Sequence, residues 1–178
     1  HLFPGILKAA RLGYDGKGQA VVDDRAAAEK AWIELGSVRC ILEAKLPLDY
    51  EISVVLARSQ DGSVKAFPSA ENRHRNGILD VSVVPAWGSV CVTDNACEVA
   101  EKLAGCLGYV GTLGVEFFVT RGQLVVNEMA PRPHNSGHYT IDTCATNQFQ
   151  QQVRALCGLP LGDSRAHSSA VMVNLLGD

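Results

Sequence analysis

The sequence lacks the features that would place it on a nucleic acid, in a membrane or outside the cell. Lys and Arg occur singly or in loose pairs, and a net charge of −3 with a pI near 5.9 leaves no basic footprint for a polyanionic duplex. Apolar runs such as VVLA and AVMV fall far short of the roughly 20 residues that span a bilayer. No charged stretch leads into an apolar one at the start, so nothing reads as an export signal. Six cysteines (Cys40, Cys91, Cys97, Cys106, Cys144, Cys157) show no CxxC spacing and no paired His ligands, which predicts reduced, mostly buried thiols in a cytoplasmic protein. Internal repeats and low-complexity segments are absent. The opening HLFPGILK has no methionine and reads as a strand already under way, as in a piece of something longer. What these absences leave is a globular chain of 178 residues, 47% hydrophobic and 20% charged, with neither nucleic acid nor membrane as partner.

The residues that are present alternate between strand and helix periods. Residues 3–8 predict a short strand and GQAVV, 18–22, a second, joined by the glycine-rich RLGYDGKGQ, 11–19. DDRAAAEKAWIELG combines an aspartate cap, alanines and a glycine stop, which predicts a helix over 24–35; VRCILEA, 38–44, has strand length. YEISVVLARS and SVKAFPS flank Asp61-Gly62 and predict a hairpin, and ILDVSVVP, 78–85, predicts another strand. TDNACEVAEKLAGCLG starts on Thr and Asp, spaces apolar residues at 99, 103 and 107, and stops at Gly108, the pattern of an amphipathic helix. GTLGVEFFVT and QLVVNEMA predict a second hairpin around Arg121-Gly122. Helices near 139–145 and 147–157 and a strand over 169–176 complete the chain. Hairpins between helices imply an α+β fold, largely antiparallel with packed helices, divided into a small lobe, 1–47, and a larger one, 48–178.

Four constellations carry chemistry. Glu116 lies inside LGVEFFV and Glu128 inside VVNEMA, and a carboxylate among such apolar neighbours needs a partner. Side chains alternate along a strand, so the two share a face only if the loop holds an odd number of residues or the pairing contains a bulge. A three-residue loop at 121–123 would set Glu116 opposite Glu128, with Asn127 on the other face. Like charges so placed repel unless neutralised, and Mg²⁺ takes one or two protein carboxylates and fills its shell with phosphate oxygens and water. A solvated Glu at one of the positions is the alternative.

The loop GYDGKGQ offers Gly13, Gly16 and Gly18, whose backbone N–H groups can face phosphate oxygens, with Lys17 and the preceding Lys8 as cations; it is neither a Walker nor a Rossmann pattern, and an ordinary Asp-Gly turn is the alternative. Glu43 and Glu51 flank the predicted lobe boundary as acceptors for an adenine amine or ribose hydroxyls, or are solvated strand ends. His74, in ENRHRNG, reads as a loop histidine. In NEMAPRPHNSGH, residues 127–138, Arg132 suits carboxylate, bicarbonate or phosphate, while His134 and His138 can donate a hydrogen bond or shuttle a proton beside Asn135. Pro131 and Pro133 stiffen the segment.

Lys8 with GYDGKGQ, Glu43 with LDYE, then FPSAENRH, GVEFF and NEMAPRPHNSGHYT, in this order, resemble the N5-carboxyaminoimidazole ribonucleotide synthetases, ATP-grasp enzymes of bacterial and fungal purine biosynthesis. The resemblance implies an ATP-grasp fold of two α+β lobes and a soluble ligase that takes ATP, bicarbonate and 5-aminoimidazole ribonucleotide, homodimeric in the full-length members. It implies an ATP site at Lys8, Gly13, Tyr14, Asp15, Gly16, Lys17, Gly18, Gln19, Glu43, Ala44, Lys45, Leu46, Glu51 and His74, with Asn127 beside it. Glu116 and Glu128 would ligate Mg²⁺, or Mn²⁺ in its place. Tyr14, Asp15 and Lys17 match the region that meets the ribonucleotide, and Arg132, His134 and Asn135 the bicarbonate and product site; Asp15, Lys17, Arg132 and His134 are the catalytic candidates. Lys17 stands where the family often has arginine. The members are about twice this length, so little or no ligase activity is expected of the chain alone. A non-catalytic nucleotide-binding piece and a formate-dependent glycinamide ribonucleotide transformylase are the alternatives; the YDGKG loop and the HNSGH continuation disfavour the latter.

Overall fold

The computed structural model describes residues 2–11, 18–75, 77–88 and 90–175. The chain divides into two compact units, His1–Pro47 with Arg75–Ile78, and Leu48–His74 with Leu79–Asp178.

In the first unit, β1 (Gly5–Ala9) lies antiparallel between β2 (Gln19–Val22) and β3 (Cys40–Ala44). Helix α1 (Arg25–Glu34) begins where the Asp24 carboxylate accepts the Ala27 N–H at 2.8 Å, the cap that the sequence predicts. Leu7, Val22 and Ala31 form its core, flanked by Ala27, Ala28 and Leu42. Lys8 pairs with Gln19 and Ile41, and Ile6 with Val21 and Glu43, so Lys8 and Glu43 share the face opposite Leu7.

The second unit is built on a sheet of seven strands. These are β4 (Tyr50–Arg58), β5 (Val64–Ala66), β6 (Ala70–Arg75), β7 (Ile78–Val84), β8 (Gly111–Thr120), β9 (Gln123–Ala130) and β10 (Ala170–Val173), in the order β10-β7-β6-β4-β8-β9 with β5 also on β4. Helix α2 (Val90–Cys106) packs on one face of β4 and β8, against Ile52, Val54, Leu56, Leu113, Val115, Phe117 and Val119. Its buried stripe is Ala96, Ala100 and Ala104 rather than the expected 99, 103 and 107. Small side chains let the helix backbone approach the sheet, while Val99 and Leu103 flank the contact and Leu107 is exposed. After a 3₁₀ turn at Asn135–Gly137 come α3 (Thr140–Thr143) and α4 (Gln148–Leu156), the latter opened by a reciprocal capping box of Asn147 and Gln150. No helix among the described residues is long and apolar enough to cross a membrane.

Two expectations change. ENRHR is a strand, β6, rather than a loop: it carries no alternating apolar signal because its one buried side chain, Asn72, is polar and bonded to side chains of the neighbouring strands. Ser82 Oγ donates to Asn72 Oδ1 at 2.8 Å, and Asn72 Nδ2 donates to Ser53 Oγ at 2.9 Å, a ladder across β7, β6 and β4. The cysteines are free, as expected, but none is fully buried; Cys91, Cys106 and Cys157, at the ends of α2 and α4, are exposed.

Candidate functional site

The second hairpin turns on two residues, not three. Arg121 and Gly122 both have positive φ (51° and 72°), the primed turn that matches strand twist, and Thr120 pairs with Gln123. Continued without interruption, that register would set Asn127 against Glu116. Instead the ladder runs Phe117 to Val126 and then Glu116 to Glu128, with Asn127 as the extra residue of a β-bulge. Leu124, on the same strand, packs with the α2 core, so period-two alternation alone would carry Glu128 to that apolar face. The bulge reverses the alternation and opposes the two carboxylates by a route other than the loop length the sequence suggested.

His134 completes the cluster. One oxygen of each glutamate and one ring nitrogen of His134 lie within 4.8 Å of one another, and His134 Nε2 stands 3.6 Å from Glu116 Oε1. Gly114 makes this approach feasible: a Cβ there would lie 2.8 Å from the His134 Cβ. His134 Nδ1 accepts the Ser136 backbone N–H at 3.4 Å and lies 2.8 Å from Ser136 Oγ. A backbone N–H can only donate, so Nδ1 is the unprotonated nitrogen and the ring proton sits on Nε2, facing Glu116. Burial first, then the Arg132 guanidinium, lowers His134 to about 4, which makes it a neutral donor at pH 7 rather than a charged one. Burial, and next the Glu128 carboxylate, pushes Glu116 up to about 7. Two opposed oxygen donors, one of them held back from ionising by burial and by the other, fit a hard divalent cation, which would remove the repulsion.

The remaining candidates fall into smaller groups. His74 Nδ1 lies 3.1 Å from Glu51 Oε2, and hydrogen bonding to Glu51 raises the His74 pKa. In the first unit Lys8 Nζ lies 2.7 Å from Glu43 Oε2; Ala44 ends β3, the Lys45 N–H donates to the Pro4 carbonyl at 2.9 Å, and Leu46 follows. Gly18, with φ 78°, and Gln19 lead into β2. Gly13, Tyr14, Asp15, Gly16 and Lys17 lie outside the described residues. Arg132 is exposed and donates from Nη1 to the Pro133 carbonyl at 3.0 Å. Asn135 Oδ1 is a buried acceptor with no partner among the described residues, as a ligand-facing oxygen would be. His138 instead stacks on Phe149, ring centroids 5.8 Å apart.

Sequence reasoning missed Gly114 and Ser136, which touch the His134 side chain. A glycine two positions before a strand glutamate was the available signal, since a strand glycine often marks a close approach.

The ATP-grasp domain family matches residues 2–149. The N5-carboxyaminoimidazole ribonucleotide synthase of Bacillus subtilis is 51% identical over 176 residues, 98% of this chain and 46% of that protein. The solved ADP complex of an N5-carboxyaminoimidazole ribonucleotide synthetase superimposes with a TM-score of 0.92 at 47% identity, covering 98% of this chain and 46% of that one. The Aspergillus clavatus synthase, solved with ADP and 5-aminoimidazole ribonucleotide, gives 0.90 at 27% identity, covering 99% and 47%. The chain thus spans about half the length of the proteins it matches. It belongs to the ATP-grasp family.

Proposed function

We propose that the chain is the nucleotide- and metal-binding part of an N5-carboxyaminoimidazole ribonucleotide synthase, which carboxylates 5-aminoimidazole ribonucleotide with bicarbonate and ATP. The observation that carries this reading is the Glu116–Glu128 pair, opposed across β8 and β9 beside His134. Likeness to synthases solved with ADP and with the ribonucleotide supports it.

In this reading a bicarbonate oxygen attacks the γ-phosphorus of ATP as the bond to ADP breaks, giving carboxyphosphate. Cleavage of its C–O bond releases phosphate and CO₂, and the exocyclic amine of the ribonucleotide forms the new C–N bond while giving its proton to a base. Glu116 and Glu128 would hold Mg²⁺, or Mn²⁺, whose charge screens the polyphosphate. Lys8 contributes a cation for phosphate oxygens. Arg132, exposed beside the cluster, receives bicarbonate through its planar fork. His134 presents Nε2–H as a neutral donor, and Asn135 Oδ1 accepts from a donor such as the substrate amine. Glu51 and His74 face the nucleotide, and Asn127 lies beside the metal ligands. Asp15 is the proposed base, and Tyr14 and Lys17 meet the ribonucleotide.

Calorimetry with MgATP, followed by phosphate release with bicarbonate and the ribonucleotide or with formate and glycinamide ribonucleotide, tests the assignment. Binding lost in Glu116→Gln and Glu128→Gln supports it, and whatever slow release a chain of half length gives is expected with bicarbonate alone of the two acids. Stimulation by formate instead contradicts it. Binding with no release supports a second reading, a nucleotide-binding chain without turnover of its own.

A further inference from the structure

Glutamines occupy the face of α4 that packs against the sheet, where apolar side chains ordinarily sit. Gln148 and Gln151 are fully buried, and the Thr112 N–H donates to Oε1 of Gln152. Two of these side chains act as a neighbouring strand would, pairing with both main-chain groups of a single residue. Gln151 Oε1 accepts the Gly162 N–H at 2.9 Å, and its Nε2 donates to the Gly162 carbonyl at 2.9 Å. Gln148 makes the same pair of bonds to His134: Oε1 accepts the N–H at 2.8 Å and Nε2 donates to the carbonyl at 2.8 Å.

We infer that Gln148 is a positioning residue for the carboxylate site: by holding both main-chain groups of His134, its amide keeps the imidazole over Gly114 with Nε2 facing Glu116. The segment has few other tethers. Pro131 and Pro133 carry no N–H, and the Arg132 N–H is spent on the Ala130 carbonyl at 2.8 Å, so the His134 N–H is the next main-chain donor after β9. Gln148 is itself fixed. Its N–H donates to Thr140 Oγ1 at 3.1 Å, its carbonyl accepts from Thr112 Oγ1 at 3.0 Å, and Thr140 Oγ1 donates to the Gly137 carbonyl at 2.6 Å. A Cβ at residue 137 would lie 2.6 Å from Gln148 Oε1, so the glycine leaves the amide its room. With the backbone pinned, Ser136 sets the ring rotation and Gly114 sets its height above the sheet.

The two glutamines supply their own control, because one holds the site and the other holds Gly162. The inference rests on the site geometry and can be tested without substrate, so its failure is separable from failure of the proposed reaction. The readout is the imidazole nitrogen signature of His134 by NMR, together with the melting temperature. Wild type is expected to show the Nε2–H tautomer alone. Gln148→Ala turns His134 into a mixture of tautomers while His74 and His167 keep their signals; Gln151→Ala lowers the melting temperature to a similar degree and leaves His134 unchanged. An unaltered His134 signature in Gln148→Ala, or an equal change in Gln151→Ala, overturns the inference. If Gln148→Ala does not fold, wild-type hydrogen exchange decides. The His134 amide is expected to exchange roughly 100-fold more slowly than an unprotected peptide group, and exchange at the free rate overturns the assignment.

Discussion

The two faces of β8 follow opposite rules within ten residues. On one, Leu113, Val115, Phe117 and Val119 interlock with the alanines of α2 and are almost wholly buried. On the other, Gly114 leaves a gap, Glu116 faces a second carboxylate, and a histidine fills the space above the glycine. The first face is organised for burial, and each side chain there stabilises the fold. The second holds a repulsive pair in partial burial, an arrangement that weakens the fold unless the charges are neutralised. One strand thus joins a core to the proposed metal site, and the bulge at Asn127 is the local device that opposes the two carboxylates on the second face.

This contrast can be broken from either side. The largest effect belongs to the core face: Phe117→Ala should lower stability by about 3–5 kcal/mol in urea denaturation, through lost burial and the cavity left behind. Gly114→Val attacks the other face by filling the place of the His134 Cβ, and should cost about 1–3 kcal/mol and shift the His134 ring signals. Glu116→Gln is expected to reverse the sign, raising stability by up to about 1 kcal/mol without divalent cations because one of two opposed charges is gone. The smallest effect lies at the edge of the site. Hydrogen bonding to Glu51 raises His74 above its ordinary 6.5, so the protonated form is favoured by folding. That contribution is present in full below about pH 6.5 and is lost as pH rises through the higher folded value. An NMR titration should find His74 raised in wild type and returned toward its ordinary value in Glu51→Gln.

Much of the apolar framework was legible because burial imposes a period. The Asp24 cap, the Asp61-Gly62 hairpin and the strands over Tyr50–Arg58 and Gly111–Thr120 all follow from spacing. Where polar groups satisfy one another, no period appears. β6 was hidden because Asn72 is buried against Ser53 and Ser82, and the glutamines of α4 were hidden for the same reason. The α2 stripe was misassigned because larger residues outweigh alanine on a hydropathy scale, while close packing favours the alanines. The Glu116–Glu128 pairing is legible in the sequence with two possible causes, an odd loop or a bulge, but the choice between them is not: a bulge has no residue signature in VVNEMA, and only the fold shows that the strand departs from its alternation.

In the proposed reading this departure creates a divalent-cation site. A Mn²⁺ titration of the chain, followed by electron paramagnetic resonance at neutral pH, tests it most directly. One ion bound per wild-type chain is expected, with binding weakened by at least about tenfold in both Glu116→Gln and Glu128→Gln, since loss of even an outer-shell partner costs roughly 10–100-fold. Equal affinity in wild type and in both variants would contradict it.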